Sequence, residues 1–481
     1  MSKTVQHTTT AGNPIILGKR ALALGSVGPT IPHDSNIVEK LAEFNRERVP
    51  ERVIHAKGGG AFGDFTVTGD VSAYTCAKLF QPGATCQMAT LFSSSVGQQG
   101  FPDSWRDVRG FACKFYTTEG NYDIVGNNTP VFFIKDALKY ADFIHSQKRL
   151  PGSGLRDADR QWDFLTLSPE TSHQVTYLMG DRGLPSTWRE MNGYGAHTYQ
   201  WINAAGQRFW VKYHMIARQG AESLSENAEL ITGASADFYR QDLFDAITAG
   251  DYPTWDLKVQ IMEYDQAKTY RFNPFDLTKI WSHADYPLVD VGHFTLNRNP
   301  GDFFAEIEQS AFSPANMVRG TDISPDRMLM ARVFSLPDAQ RHRVGTSMQQ
   351  INAPHGNDEP QWHSFGNPLV PVYAPKTTGE LVADPRRARE SFWQFDGDLV
   401  HAAATRHAND SDFGQAGTLY REVFSPDAKA RFLATLVGQG KALTRDVIKQ
   451  RFIQYWTNVD TNLGHQLAKT LGLPAVKSSA K

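Results

Sequence analysis

The middle of the chain alternates apolar and polar positions with a period of two, as half-buried strands do. Residues 255–261 and 211–215 show this pattern clearly. About eight strands with variable connections fit a large antiparallel barrel better than a parallel α/β sheet. The other strands predicted between residues 50 and 320 lie at residues 62–68, 111–117, 130–134, 173–179, 196–203 and 292–298.

Both ends of the chain have helical spacing instead. Residues 36–46 place Ile37, Leu41 and Phe44 on one face of a helix. Ser425 before Pro426 predicts another helix start. The apolar stripes of the three predicted C-terminal helices fall at residues 432–437, 443–452 and 463–471.

One more helix and a long connection separate the barrel from these helices. Ser324 at the N-cap and Pro325 at N1 predict a helix that continues through residues 327–334 and ends before Pro337. Residues 344–412 are rich in Pro, Gly, Asn and His, with little periodicity. A loop of that length is unusual inside one domain, so we expect it to wrap over the barrel.

Composition narrows the classes of partner. The 481 residues are 41% hydrophobic and 21% charged, with a net charge of −2 and a pI near 6.7. These values favour neither nucleic acid nor an anionic membrane, and no apolar run reaches the ~20 residues of a membrane span. Cys76, Cys86 and Cys113 form no disulfide framework or zinc spacing. We therefore expect a cytoplasmic protein.

The chemistry starts from residues 48–65, RVPERVIHAKGGGAFGDF. His55 can act as an acid or base near neutral pH, and the glycines after it permit close approach of a large flat group. A lone histidine is more often a core or loop residue. The whole segment, however, resembles the active-site segment of haem catalases, with His55 as their distal histidine.

The resemblance extends over nearly the whole chain and implies a fold. It implies an α+β protein with a catalase-like eight-stranded antiparallel β-barrel, an N-terminal arm, a wrapping segment and a C-terminal helical domain. The arm threads through a neighbouring subunit in that family, which implies a homotetramer. The predicted divisions are the arm at residues 1–49, the barrel at 50–320, the proximal helix and wrapping segment at 321–412, and the helical domain at 413–481.

The resemblance also implies a distal site for hydrogen peroxide. His55 would take a proton from peroxide and return it to the leaving oxygen, Asn127 would orient the peroxide, and Ser93 would hydrogen-bond the histidine. Taken singly, Asn127 and Ser93 are typical turn residues. At position 140, where this chain has Tyr, the family usually has a Phe that stacks on the porphyrin. The cofactor-binding positions, for haem b, would be Arg52, Val53, Gly110, Phe132, Tyr140, Arg332, Leu336 and Arg343.

The proximal side departs from the family pattern Arg-x-Phe-small-Tyr-x-Asp, whose tyrosine is the axial iron ligand. This chain has Arg332-Val-Phe-Ser-Leu336-Pro-Asp. Leucine has no lone pair, so no metal ligand is assigned. Arg332 would lose the phenolate it meets in the family, and we expect an anion, a water molecule or a substrate carboxylate beside it, because an unpartnered buried guanidinium costs about 3–5 kcal/mol.

A second departure concerns the three arginines that grip the haem propionates in the family. Arg52 and Arg343 match two of them, whereas Leu91 stands at the third position. The family's NADPH groove is matched less closely, because Ile216 replaces a frequent lysine. The candidate nucleotide-groove residues are His173, Arg182, Asn192, His214, Trp281 and His283.

Three hypotheses follow. The first is a haem-using oxidoreductase, weak in peroxide dismutation, that acts on a small organic substrate. The second is a haem-free enzyme in which His55 performs acid–base chemistry on an organic acid, as Leu336 and Leu91 favour. The third is a non-catalytic partner subunit of a true catalase.

Overall fold

Eight antiparallel strands close into a ring in this computed structural model, which describes residues 8–9, 11–12, 21–31, 35–224, 228–345, 348 and 411–480. Each strand of the ring pairs with its two neighbours, and the pairing of β7 with β8 closes it. The predicted antiparallel barrel is therefore confirmed. In ring order the strands are β1 (Gly58–Val67), β2 (Thr85–Ser94), β3 (Arg109–Thr117), β4 (Gly120–Asn127), β5 (Gly193–Tyr194), β7 (Arg208–Ala217), β8 (Thr254–Glu263) and β9 (Val289–Arg298). Two further strands, β6 (Tyr199–Ile202) and β10 (Thr321–Asp322), extend the sheet beside β7.

Aromatic side chains fill the barrel interior. Phe92 and Phe111 meet edge to face with their ring centroids 4.8 Å apart, and Trp255 lies 5.6 Å from Phe111. Because side chains alternate between the faces of a strand, the next residues, Ser93 and Gly110, lie on the outer face of the barrel. The candidate site is thus built on the outside of a rigid core.

The helices form a second apolar core beside the barrel, around buried residues such as Trp162, Phe452 and Trp456. Ser425 caps its helix as predicted, with its side chain accepting a hydrogen bond from the Ala428 amide. The helices are α1 (Ser35–Asn45), α2 (Tyr140–Gln147), α3 (Ala158–Leu167), α4 (Ser172–Met179), α5 (Ala228–Ala234), α6 (Phe238–Ala249), α7 (Arg327–Val344), α8 (Gly414–Thr418), α9 (Pro426–Ala442), α10 (Asp446–Val459) and α11 (Thr461–Leu471).

Two of the predicted strands are wrong. Residues 173–179 belong to helix α4, all of whose residues are buried. A short segment that is buried on every side shows no period, so its sequence does not separate strand from helix. Residues 130–134 follow β4 as irregular backbone. Strands β2 and β4 were not predicted at all.

Helix α7 also differs from its prediction at both ends. Its N-cap is Asp326, whose carboxylate accepts from the amides of Met328 and Leu329. The helix continues through Pro337 to Val344. Its last turn is tied to another segment by Arg343, which donates to the Ser310 carbonyl at 2.8 Å.

Two predicted divisions extend past the described residues. The N-terminal arm is described only in part, including helix α1, which matches the prediction for residues 36–46. The predicted wrapping segment lies almost entirely outside the described residues. The domain boundaries stay predictions.

Candidate active site

A row of register partners crosses four neighbouring strands and supports the distal residues. Gly58 of β1 pairs with Ser93 of β2, Ser93 with Gly110 of β3, and Gly110 with Asn127 of β4. Since register partners share a face of the sheet, Ser93 and Asn127 point to the same side. The strand pairing therefore brings together residues far apart in the chain.

His55 lies just before β1, at the end of this row. Its backbone has φ of 61°, a left-handed conformation that is costly for a residue with a side chain. The Ser95 carbonyl holds its amide at 3.0 Å, and its Nδ1 lies 2.9 Å from Ser93 Oγ. Strain held at a functional side chain is a frequent feature of active sites.

Gly110 leaves room for this histidine. A Cβ atom at position 110 would lie 2.3 Å from Ser93 Oγ and 2.7 Å from His55 Nδ1. Both distances are far below van der Waals contact, so any larger residue would displace the His55–Ser93 pair.

The electrostatics of the site keep His55 neutral. Burial, together with the positive charges of Arg332 and Arg52, lowers the pKa of His55 to about 3. A neutral imidazole at physiological pH has one nitrogen free to accept a proton. If Nδ1–H donates to Ser93 Oγ, that free nitrogen is Nε2.

Arg332 is the last member of a buried chain of polar groups that runs from Asp326 through His197. Its Nη1 donates to the Val125 carbonyl at 3.2 Å and to His197 Nε2 at 2.6 Å. His197 Nδ1 in turn lies 2.8 Å from the carboxylate of Asp326. Arg332 therefore has a protein partner, because Asp326 meets its charge through one imidazole. The anion, water molecule or substrate carboxylate expected beside Arg332 stays a prediction.

The pKa shifts of His197 and Asp326 are consistent with this hydrogen-bonded chain from Arg332 to Asp326. Burial lowers the pKa of His197, although Asp326 opposes the shift. Burial alone would raise the pKa of Asp326, but His197 and the Leu329 amide outweigh it and hold that pKa below its usual value. These shifts favour a neutral imidazole and an ionised aspartate.

Arg52 and Arg343 meet at one short segment, the π-helical turn Phe304–Glu308 and the residues after it. Arg52 donates to the Ser310 carbonyl at 2.9 Å, and Arg343 donates to the same oxygen at 2.8 Å. Burial, together with the nearby Arg52 charge, lowers the pKa of Arg343 to about 9. In the described part of the chain neither arginine forms an ion pair, and both donate to neutral acceptors.

Leu91 lies two residues before Ser93, on the same face of β2. It is buried in a small apolar cluster with Ala112, Ile307 and Phe312. An arginine here would have to bring its charge out of this cluster. Leu91, at the position of the family's third propionate-binding arginine, is thus an apolar residue in apolar surroundings.

The remaining predicted cofactor positions flank this face. Phe132 and Tyr140 stack with their ring centroids 6.5 Å apart, and burial raises the pKa of Tyr140 although the Arg332 charge opposes the rise. Val53 is 70% exposed. Leu336 is half-buried on α7, one turn after Arg332.

The candidate nucleotide groove comes together only in part. Arg182, His214, Trp281 and His283 line one cavity of about 100 Å³. The other two predicted residues do not line it. His173 Nδ1 instead donates to the Thr278 carbonyl at 3.2 Å, and Asn192 Oδ1 accepts from the Ala217 amide at 2.9 Å.

Comparison with known proteins bears on the whole chain. Residues 8–367 match the family model described as "Catalase", and residues 406–471 match the model described as "Catalase-related immune-responsive". This chain belongs to the catalase family. It is 48% identical to the bromoperoxidase-catalase of Streptomyces venezuelae, over 96% of this chain and 97% of that protein. It is 45% identical to catalase A of Pseudomonas putida, over 97% and 98% respectively.

Solved catalase structures confirm the fold. A bacterial catalase with 47% identity superposes with a TM-score of 0.88 and covers 98% of this chain and 96% of that one. Catalase A from Saccharomyces cerevisiae, with 38% identity, also gives a TM-score of 0.88, over 97% and 99% of the two chains.

Catalases generally bind haem, and the residues of this chain fit that group only on one side. The Gly110 cradle, the neutral His55 and the two arginines at Ser310 suit a distal pocket and an anionic edge. Leu336 offers no donor atom to a metal. The donor set therefore does not fit a haem ligated through residue 336, and the chemistry below is that of the chain's own residues.

Sequence reasoning missed His197 altogether and recognised Asp326 only as part of a helix start. His197 lies in an irregular loop beside Ala196, which has φ of 57°, and no spacing in the sequence links it to Arg332. Only the fold, which brings the loop before β6 to the start of α7, joins the three residues. Within the described residues, no cluster of three or more His, Cys, Asp or Glu could hold a metal ion, and no helix is long and apolar enough to cross a membrane.

Proposed function

We propose that this catalase-family protein is a hydrogen-peroxide-dependent oxidoreductase that is weak in dismutation and oxidises a small organic substrate. The observation that carries the proposal is the 2.9 Å contact between His55 and Ser93 in the Gly110 cradle. Packing alone does not require a hydrogen bond between these side chains or a strained backbone at His55.

The chain's own part in the reaction is a proton transfer. His55 Nε2 takes the proton from one oxygen of hydrogen peroxide and returns it to the other, which leaves as water. Ser93 fixes the tautomer that makes Nε2 the base, and Asn127 orients the peroxide. The O–O bond breaks as a second molecule supplies two electrons and two protons, so that both peroxide oxygens end as water. A second peroxide is then oxidised to dioxygen, and an organic substrate is oxidised by the loss of two hydrogen atoms.

Weak dismutation is expected from Leu336. A tyrosinate ligand donates electron density to haem iron, and a leucine donates none. If this chain holds haem b, it does so without that donation. One relative supports a second substrate, because the Streptomyces venezuelae protein is named a bromoperoxidase-catalase.

His55→Ala tests the proposal. We expect peroxide consumption, followed as loss of peroxide with and without a phenolic reductant, to fall by about a hundredfold, the usual contribution of a positioned general base. His465→Ala removes an exposed histidine and serves as the matched control. Equal rates for the wild type and His55→Ala would refute the role of His55.

A second candidate function is haem-free acid–base chemistry by His55 on an organic acid. Leu336 and the apolar burial of Leu91 favour it. A protein that stays free of haem under haem-replete expression, yet loses an activity on His55→Ala, would establish this alternative.

The family suggests further properties for this chain, which we propose with it. They are a homotetramer, a cytoplasmic location and NADPH binding at the cavity lined by Arg182, His214, Trp281 and His283. Light scattering tests the first and titration with NADPH tests the last. A monomer, or an absence of NADPH binding, would contradict the corresponding proposal.

A further inference from the structure

A second cavity, of about 150 Å³, lies beside Arg52. Since about 10–15 Å³ of such space holds one water molecule, there is room for a small organic molecule. Its wall includes four cations, Arg52, Lys148, Arg149 and Arg156, and one carboxylate, Glu51. The pocket is open to solvent on one side, where Arg149 and Arg156 are exposed. An excess of cations around such a pocket is an arrangement suited to an anion.

Three of these cations have only neutral acceptors. Lys148, Arg149 and Arg156 form no ion pair among the residues that the structure describes. Arg149 donates at 3.1 Å and 2.9 Å and Arg156 at 3.4 Å. The acceptors are the Val53 carbonyl for Lys148, the Gln98 side chain and the Gly154 carbonyl for Arg149, and the Val96 carbonyl for Arg156.

The nearby carboxylates do not neutralise the group. Glu51 acts on Lys148, but burial is the larger effect and lowers the pKa of Lys148. Asp107 acts on Arg156, yet burial and the neighbouring Arg149 lower the pKa of Arg156. Both cations are thus less well compensated here than in water, and an anion would stabilise them.

Part of the remaining wall is apolar, beside Gly97 and the polar side chain of Gln98. Val53, Ala56, Val96 and Phe101 line the same cavity, and the Arg156 guanidinium lies 4.9 Å from the centre of the Phe101 ring. An inorganic anion would make no use of these groups. A carboxylate on a short hydrocarbon skeleton would use both, because a guanidinium binds a carboxylate through two parallel hydrogen bonds.

We propose that this cavity binds the carboxylate of a small organic acid through Arg149, Arg156 and Lys148. Arg52 and Val53 line the cavity and are also predicted residues of the active site, so the acid lies at the edge of that site. In that position it is the organic substrate, and this part of the inference rests on the proposed function.

Isothermal titration calorimetry at constant ionic strength, without peroxide, tests the site. The probes are succinate, its neutral analogue succinamide and inorganic phosphate. We expect succinate to bind, succinamide to show no binding and phosphate to bind more weakly than succinate. No succinate binding, or phosphate binding as tightly as succinate, would overturn the proposal.

The double variant Arg149→Gln, Arg156→Gln should raise the dissociation constant of succinate by at least about tenfold. Arg445→Gln removes an arginine that is 73% exposed and should leave it unchanged. Unchanged affinity in a folded double variant would refute the assignment. Because no turnover is measured, a failure here is distinct from a failure of the peroxide chemistry.

Discussion

The groups around His55 determine its orientation and its protonation state. His55 is strained in its backbone, held by Ser93 and made neutral by two arginine charges and burial. The sequence predicted His55, Ser93 and Asn127 by resemblance. The structure places Ser93 and Asn127 on one row of the sheet and His55 just before β1, in contact with Ser93. What the sequence could not predict is Gly110 as a steric requirement, since that follows only from the distances between strands.

Gly110→Ala should therefore act as strongly as a change to the histidine. The new Cβ would overlap Ser93 Oγ and His55 Nδ1, so we expect peroxide consumption to fall by about a hundredfold. Gly152→Ala is the control, because a Cβ added at that glycine would have no neighbouring atom within 4 Å. A Gly110→Ala protein with wild-type turnover and an intact circular dichroism spectrum would show that the cradle is unimportant.

The pH dependence of activity reports the His55 base directly. Its pKa of about 3 leaves it neutral throughout the range from pH 5 to 8. We expect peroxide consumption to show no acid limb near pH 6.5, measured at each pH alongside tryptophan fluorescence to verify folding. A limb near 6.5 in folded protein would mean that His55 is not the buried neutral base described above.

Helix α7 connects local sequence signals to the buried polar chain. Its N-cap, Asp326, also receives the hydrogen bond from His197, so a single carboxylate both caps the helix and balances Arg332. The sequence located the start of the helix within two residues but assigned the cap to Ser324. The second role depends on a contact with a distant loop, which local propensity does not encode.

Removing the two caps should cost different amounts. Ser425→Ala removes only a capping hydrogen bond, and we expect a loss of about 1 kcal/mol in the free energy of unfolding. Asp326→Ala also leaves Arg332 without its compensating charge, and we expect about 3–5 kcal/mol. Urea unfolding of both variants measures the difference, and equal losses would mean that the buried chain contributes nothing to stability.

At the scale of the whole molecule, the sequence indicated the antiparallel barrel and the helical tail but misassigned a buried helix. The alternation in β7 and β8 was readable because only one face of each strand packs in the barrel core. Helix α4 is buried on all sides and lost its period. One-sided packing therefore left a readable period in the barrel strands, and burial on all sides removed it from α4.

Burial of neutral histidines makes the molecule sensitive to acid. The pKa values of His55, His173 and His214 are each lowered to about 3, with burial as the first cause. These residues are protonated near pH 6.5 in the unfolded chain, so the stability they confer is complete above pH 6.5 and is lost as the pH falls toward 3.

His173→Gln should lessen that loss by about 1–2 kcal/mol between pH 6.5 and 4.5. The slope of unfolding free energy against pH, from urea titrations, measures it. The exposed His465→Gln is the control. An unchanged slope for His173→Gln would contradict a buried neutral His173.

The most direct test of the central claim is the haem content and spectrum of this protein after haem-replete expression, compared with Leu336→Tyr. The claim is a catalase-family pocket with a working distal side and no protein ligand at residue 336. We predict a Soret band in the wild type that shifts in Leu336→Tyr, with higher haem occupancy by pyridine haemochromogen and faster peroxide turnover. Identical spectra, occupancy and turnover in the two proteins would contradict it.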